Sequence, residues 1–383
     1  MILVESNSSL EQLCSLIGQS PRNVVGLDTE FIRQKTYYPI LCLVQGIFVR
    51  PDGIEEIFVV DVLEKDINLE PLIDILKNGN IKKIIHSFSQ DLDALQFFLG
   101  PGKINNIEDT QVMAEFCGLE YSIGYLGAVG VITGENLTKN KSLQTSNWRR
   151  RPLTKKQLAY ACDDVKYLLR LYDELHRKVC ECGNYEFYRN EIEHLQRHGE
   201  KEQMVVGSWK RLKLKIHKKT MGRALLIKAL ASWRETRAIE SNRIRNLVLK
   251  DSALLVIARV RPETPEDMKK LYQTNSEVLN MKKIHRVEIL ELVKQFVANC
   301  RCGDEPYYTV EMGFEYREEL DCLYSEIATT ARSRHICPDR VINKTDLIAL
   351  LMGYEDRKNI LYGWKSELLA ELRIEQPMLQ KNH

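Results

Sequence analysis

Apolar and polar positions along the chain fall into two regimes. Over roughly the first 170 residues, short apolar runs rich in β-branched side chains alternate with stretches of helical spacing. Asn23-Val-Val-Gly-Leu-Asp28 has the character of a buried strand, as do residues 41–48, 56–61 and 83–86. Helical spacing fills residues 69–77, 89–99 and 109–117. Three neighbouring strands followed by strand–helix alternation predict a mixed sheet with helices around it. A further helix is predicted from residue 154. Pro152 precedes it, Thr154 stands at the N-cap and Gln157 lies three positions on, a capping box. After residue 205 strand patterns nearly vanish. Leu226, Leu230 and Trp233 recur at helical spacing. Helices are expected from there on, with breaks at Pro262, Pro265, residues 302–306 and Pro338. The expected division is an α/β domain with a connecting helix over 1–205, a helical module over 206–297 and a second one over 298–383.

Length agrees with two or three domains, since the chain has 383 residues. With 44% hydrophobic and 28% charged residues it has the composition of a globular protein rather than a disordered or membrane one. No apolar run approaches a membrane span, and Met1-Ile-Leu-Val-Glu-Ser lacks a basic leader, so a cytoplasmic location is expected. The net charge of +2 hides a local asymmetry. Residues 205–250 carry 13 Lys and Arg against two acids, Glu235 and Glu240, the footprint of a nucleic-acid binder or of a solvated helix face. The ten cysteines include two C-x-C pairs, Cys180/Cys182 and Cys300/Cys302, but no C-x2-C, and are read as reduced thiols.

Candidate chemistry lies in the carboxylates. Asp28 and Glu30 occupy alternate positions of one strand and project to one face. Side by side they repel unless a cation neutralises them, and oxygen ligands of this kind suit Mg²⁺ or Mn²⁺. Asp91 follows the fourth strand at the start of a helix, where α/β sheets gather ligands. Tyr160 and Asp164 are four apart on the capped helix, and Asp163 is rotated away. Singly, each is more commonly an acidic turn, a helix cap or a surface residue.

Together, in this order, they resemble the DEDD-type 3′–5′ exonucleases of the subclass with Tyr in the third motif. Asp28-Thr-Glu-Phe31, Tyr37-Tyr-Pro39 with Gln45, Asp109-Thr-Gln111, Lys141-Ser142, Trp148 and Arg151-Pro-Leu-Thr154 extend the likeness to the ribonuclease D family over residues 20–176. Asn147 stands where that family is expected to have Asp, which bears on the loop rather than on the metals. The resemblance implies a ribonuclease H-like fold and two-metal hydrolysis. Asp28 would be shared by both ions, with Glu30 and Asp164 on the nucleophile side, Asp91 on the other, and Tyr160 orienting water. Thr29 and Phe31 are candidates for touching the terminal nucleotide, Phe31 having a plain core role as its rival. Residues 208–297, through Trp209-Lys-Arg-Leu and Arg259-x-Arg261-Pro262, look like an HRDC domain. The last module, with Leu361-Tyr-Gly-Trp364-Lys, looks like a diverged copy. Arg211, Lys213, Lys215, Lys218 and Lys219 are candidate phosphate contacts. The implied substrate is RNA, tRNA precursors and other structured 3′ ends included, with a DNA exonuclease or a catalytically weak RNA-binding protein as alternatives. A helicase is excluded by the missing phosphate loop, Gly102-Lys103 being followed by Ile104. His194 and His198 have zincin spacing but no Glu after His194, and are read as exposed helix residues.

Overall fold

The structure, a computed structural model, describes all residues except 101–102, 136–140, 199–204, 213–223, 276–277, 279–281, 301–313, 352–356 and 371–383. Six strands form one mixed sheet: β1 (Ile2–Val4), β2 (Val24–Ile32), β3 (Ile40–Val49), β4 (Glu55–Asp61), β5 (Lys82–Ile85) and β6 (Ile107–Asp109), in the order β1-β4-β3-β2-β5-β6. β2 runs antiparallel to β3 and parallel to β5, so it lies near the centre. Strand alternation sends its neighbours' side chains to two cores. Val44 and Val60 join the large cluster that includes Leu168, Leu171 and Leu175. Leu43 and Val59 join a smaller one around Trp148 and Tyr160. Gly46 is required where β3 crosses β2: a Cβ there would lie 2.5 Å from the Gly26 carbonyl oxygen and 2.5 Å from the Phe58 ring.

Among the described residues, the helices of this region are α1 (Asn7–Gly18), α2 (Glu70–Lys77), α3 (Ser89–Leu99), α4 (Thr110–Glu115), α5 (Tyr125–Thr133), α6 (Lys141–Gln144), α7 (Lys155–Asp163), α8 (Leu168–Glu181) and α9 (Tyr185–His198). The expected mixed sheet with flanking helices is therefore present. The sequence reading passed over β1, β6 and α1. The capping box of α7 is formed: Gln157 N–H donates to the Thr154 hydroxyl at 3.2 Å, and Thr154 N–H donates to Gln157 at 3.0 Å.

Beyond α9 the described residues form no strands. The helices Ala224–Glu240, Asp251–Val260, Pro265–Thr274 and Lys283–Cys300 pack around Leu226, Leu230, Leu254, Ile257, Ile289 and Val293, a core of their own. The breaks expected at Pro262, Pro265 and Pro338 are present: one helix ends at Val260 and the next starts at Pro265 behind the Thr264 capping box, and Phe314–Ser333 ends before Pro338, which heads Pro338–Val341. The C-terminal helices are different. Leu320, Ile327, Val341, Leu350, Leu361 and Trp364 belong to the same cluster as the sheet's main core. Trp364 packs edge-on against Phe116 at 4.9 Å. Arg340 bonds Glu115 of α4 and, at 3.1 Å, Glu191 of α9, and Glu191 also accepts from Tyr362 and Trp364 at 2.7 and 2.8 Å. His194 stacks on Tyr362 at 3.2 Å and is half-buried, which corrects its reading as an exposed residue. His198 also lies on α9, but its side chain is outside the described ones.

The helical unit over 224–300 is clasped to the β2–β3 turn. Tyr37 donates to Glu235, which is fully buried, and Arg245 bonds both Glu235 oxygens and lies over the Tyr37 ring at 4.8 Å. Tyr38 N–H donates to Asn242 at 3.1 Å. Removing one partner of a buried ion pair strands the other, at about 3 kcal/mol or more. Glu235→Ala should therefore lower the urea midpoint of unfolding by that order, and Glu235→Gln, which still accepts from Tyr37, by less. A midpoint equal to that of the wild type in both variants would show that the clasp holds nothing.

Candidate active site

β2 delivers Asp28 and Glu30 to one face, and the end of α7 brings Asp164 to them. One carboxylate oxygen of each lies within 4.8 Å of the other two. Asp28 is held in place by Gln45, its partner across the β2–β3 ladder, whose Nε2 donates to Oδ2 at 2.8 Å. The ladder slips one residue between Glu30 and Phe31, with Cys42 as the extra residue on β3. Arg151 occupies that bulge: it donates to the Cys42 carbonyl at 3.3 Å, to the Trp148 carbonyl at 2.6 Å and to both oxygens of Asp61. The loop carrying Trp148 is thereby fixed against β3 and β4. Trp148 in turn packs against Tyr160 at 5.9 Å. Asn147 makes a local turn, its side chain accepting from Arg149 N–H at 3.2 Å. Asp164 is the C-cap of α7 rather than a helical residue.

Asp91, at the start of α3, is buried and lines the same cleft, but it is not one of the three clustered acids. Thr29 donates its hydroxyl to Asp91, so that hydroxyl is committed within the protein. Burial above all, with Asp109 adding, pushes the Asp91 carboxyl up to about 7 against the pull of the Thr29 hydroxyl. Phe31 is half-buried against the main core and also lines the cleft, with the Arg33 guanidinium 5.5 Å from its ring centroid. Tyr160 is buried and lines the cleft beside Asp164. The cleft has a volume of about 510 Å³, within the range that houses one small ligand or nucleotide unit.

Three residues carried no assigned role in the sequence reading: Tyr125 and His86 line the cleft, and Asp109 lines the cavity beside it. Asp109 accepts from four backbone N–H groups: Ser87 at 3.0 Å, Phe88 at 2.8 Å, Gln111 at 2.7 Å and Val112 at 3.2 Å. It caps α4 and fixes the turn that leads into α3 and Asp91, a turn in which Ser87 takes a left-handed φ of 67°. The Asp109-Thr-Gln111 motif marked the position without its role. Tyr125 accepts from Tyr167 N–H at 2.9 Å, and burial, with Asp164 and Asp28 adding, keeps it a phenol well beyond the usual range. His86 is held between the Thr110 hydroxyl at 2.9 Å and the Ile123 carbonyl at 3.0 Å, so its Nε2 carries the proton.

Of the basic candidates, Arg211 is described. Its side chain is 52% exposed and lines a second cavity, of about 560 Å³, beside the cleft. Lys213, Lys215, Lys218 and Lys219 lie outside the described residues. Much of the positive charge read over 205–250 is committed internally. Arg234 pairs with Asp251 at 2.5 Å, Arg237 with Glu240 at 2.7 Å and Glu288 at 3.0 Å, and Arg245 with Glu235.

Hard oxygen donors crowded this closely fit a divalent cation, which would offset their mutual repulsion. A central strand bears two acids, and a third caps a flanking helix beside a buried tyrosine; over this arrangement the family profile for 3′–5′ exonucleases matches residues 1–180, which makes the domain a 3′–5′ exonuclease. A second profile, for the HRDC domain, matches residues 224–293. Ribonuclease D of Shewanella sp. (strain ANA-3) is 32% identical over 373 residues, covering 96% of this chain and 92% of that one. Ribonuclease D of Jannaschia sp. (strain CCS1) is 35% identical over 269 residues, or 70% and 67% of the two chains. The crystal structure of Escherichia coli RNase D, described as an exoribonuclease involved in structured RNA processing, superposes with a TM-score of 0.70 at 25% identity, covering 96% of both chains. The chain belongs to the ribonuclease D family and is a 3′–5′ exoribonuclease.

The Asp91 shift carries a sign that can be tested without metal. Its folded-state pKa of about 7 lies above the ordinary 3.8, so the native state holds the proton more tightly. The stability that goes with that proton is complete below about pH 4 and is lost as pH rises towards 7. In EDTA, the wild-type melting temperature should fall between pH 5 and pH 8 by more than that of Asp91→Asn, which cannot ionise. Parallel curves for the two proteins would count against the shift.

Proposed function

We propose that the protein removes nucleotides one at a time from RNA 3′ ends as 5′-monophosphates, using two divalent cations, Mg²⁺ or Mn²⁺, with tRNA precursors and other structured RNAs among its substrates. The observation that carries the reading is the meeting of Asp28, Glu30 and Asp164 within 4.8 Å in an exonuclease domain. Asp28 would be shared between the two ions. Glu30 and Asp164 would serve the nucleophile side, and Asp91 would help hold the other. When bound, such cations supply a nucleophile at neutral pH and neutralise charge building on the phosphodiester oxygens. Tyr160, fixed by Trp148, places a phenol beside Asp164 and orients the attacking water. Phe31 offers a ring face to the terminal base, while Thr29 contributes through its backbone because its hydroxyl is held by Asp91. The free cysteines among the described residues fit a reducing compartment such as the cytoplasm. No helix among the described residues is long and apolar enough to cross a membrane.

End-labelled RNA and matched DNA, incubated with Mg²⁺ or Mn²⁺ and then with EDTA, test the reading. Early mononucleotide release from the 3′ label, a ladder from the 5′ label and loss of both in EDTA are expected, with RNA degraded faster than DNA. Equal or faster degradation of DNA would reassign the substrate. Asp28→Ala should lower turnover by at least about a hundredfold while RNA binding is kept, and Tyr160→Phe should slow turnover by about ten- to a hundredfold with metal affinity unchanged. Near-normal turnover in Asp28→Ala defeats the assignment, and lost metal affinity in Tyr160→Phe makes that residue structural.

A further inference from the structure

The cavity beside the catalytic cleft is not a separate depression. Ser87, Gln90 and Gln111 line both. At about 560 Å³ it matches the cleft's 510 Å³, so the two make a continuous path of two similar compartments. Its far walls come from three parts of the chain: Arg33 of the β2–β3 turn, Arg211 ahead of the HRDC helices and Arg340 of the C-terminal unit. These three cations are not equivalent. Arg340 is buried between Glu115 and Glu191, and Arg33 shares its charge with Asp93 at 3.0 Å. Arg211 is 52% exposed, and its nearest acid among the described residues, Glu235 at 4.0 Å, is already bonded through both oxygens to Arg245. Its positive charge therefore faces the cavity largely uncompensated.

An aromatic feature extends the same wall. Asp93 lines the cavity, and Phe97 lies one turn further along α3 on the same face. Phe97 is 55% exposed, unusual for so large an apolar side chain, and it stacks on Tyr38 with centroids 4.9 Å apart and planes 19° from parallel. An exposed ring backed by a second ring, next to an incompletely paired arginine, is the combination by which proteins hold single-stranded nucleic acid: bases stack on the ring and phosphates meet the cation.

We propose that this second cavity and the Phe97–Tyr38 stack form the site for the single-stranded RNA segment on the 5′ side of the terminal nucleotide. The inference rests on the reading of the cleft as the place of the 3′-terminal nucleotide. The last nucleotide then occupies the acidic cleft, the next crosses at Ser87, Gln90 and Gln111, and those upstream run past Arg211 towards Phe97.

Two measurements separate this path from the catalytic reading. The first is the ratio of kcat/KM for a single-stranded 12-nucleotide RNA to that for a dinucleotide, which cannot reach Phe97. The second is binding of the labelled 12-mer in EDTA, which needs no turnover. Phe97→Ala should lower the ratio by about tenfold and weaken 12-mer binding to a similar degree, with Phe97→Tyr restoring both. Arg211→Ala should weaken 12-mer binding and reduce its salt slope by about one. If neither variant changes the ratio or the binding, the path lies elsewhere. If the wild type cleaves neither RNA, the catalytic reading fails, and binding in EDTA still decides the path.

Discussion

Three carboxylate oxygens gathered within 4.8 Å repel one another, and that repulsion is the constraint around which the exonuclease domain is arranged. None of the acids sits on a free loop. Asp28 and Glu30 stand on a strand that is paired on both sides, and Gln45 bonds the first of them across the ladder. The loop ahead of the third acid is fixed by Arg151, which bridges the bulge carbonyl, the Trp148 carbonyl and Asp61. Asp109 does the same for the turn before Asp91 with four backbone bonds. A cation that binds here meets donors already in position, so little ordering is left to oppose binding.

What could be read in the sequence follows from how local each signal is. Asp28 and Glu30 were legible because strand alternation acts over two residues, and the α7 capping box because it acts over three. β3, β4 and β5 were found within a residue, β2 runs four residues past the expected end at Asp28, and the three-residue β1 and β6 were too short to carry a period. Asp109 was visible as part of a motif, yet its task depends on Ser87 and Phe88, about twenty positions away. Glu235 looked like a stray acid in a basic stretch, and its meaning comes from Tyr37, 198 positions earlier. The same distance effect misled the charge count. Arg234, Arg237 and Arg245 add to a basic stripe on paper but are neutralised by acids the chain returns to them.

The two helical units relate to the nuclease in different physical ways. The HRDC unit has its own apolar core and touches the catalytic domain at the β2–β3 turn, where a polar clasp sits beside a small apolar cluster of Tyr37, Ala238, Ile239 and Val248. Such a contact is directional, since it depends on the placement of one carboxylate, and it sets the position of Arg211 relative to the cleft. The C-terminal unit contributes side chains to the main core itself, sealed by the Glu115–Arg340–Glu191 ion pairs. Its attachment combines apolar burial with a buried charge network whose loss on either side would strand a charge.

That shared core has a consequence for how the protein comes into being. Domains usually fold in the order in which the ribosome delivers them. Here Phe116 and Phe187 are in the chain long before Trp364, the ring that lies between them, has been translated. The nuclease domain therefore emerges with one wall missing and exposes apolar surface until residues 320–369 arrive to cover it.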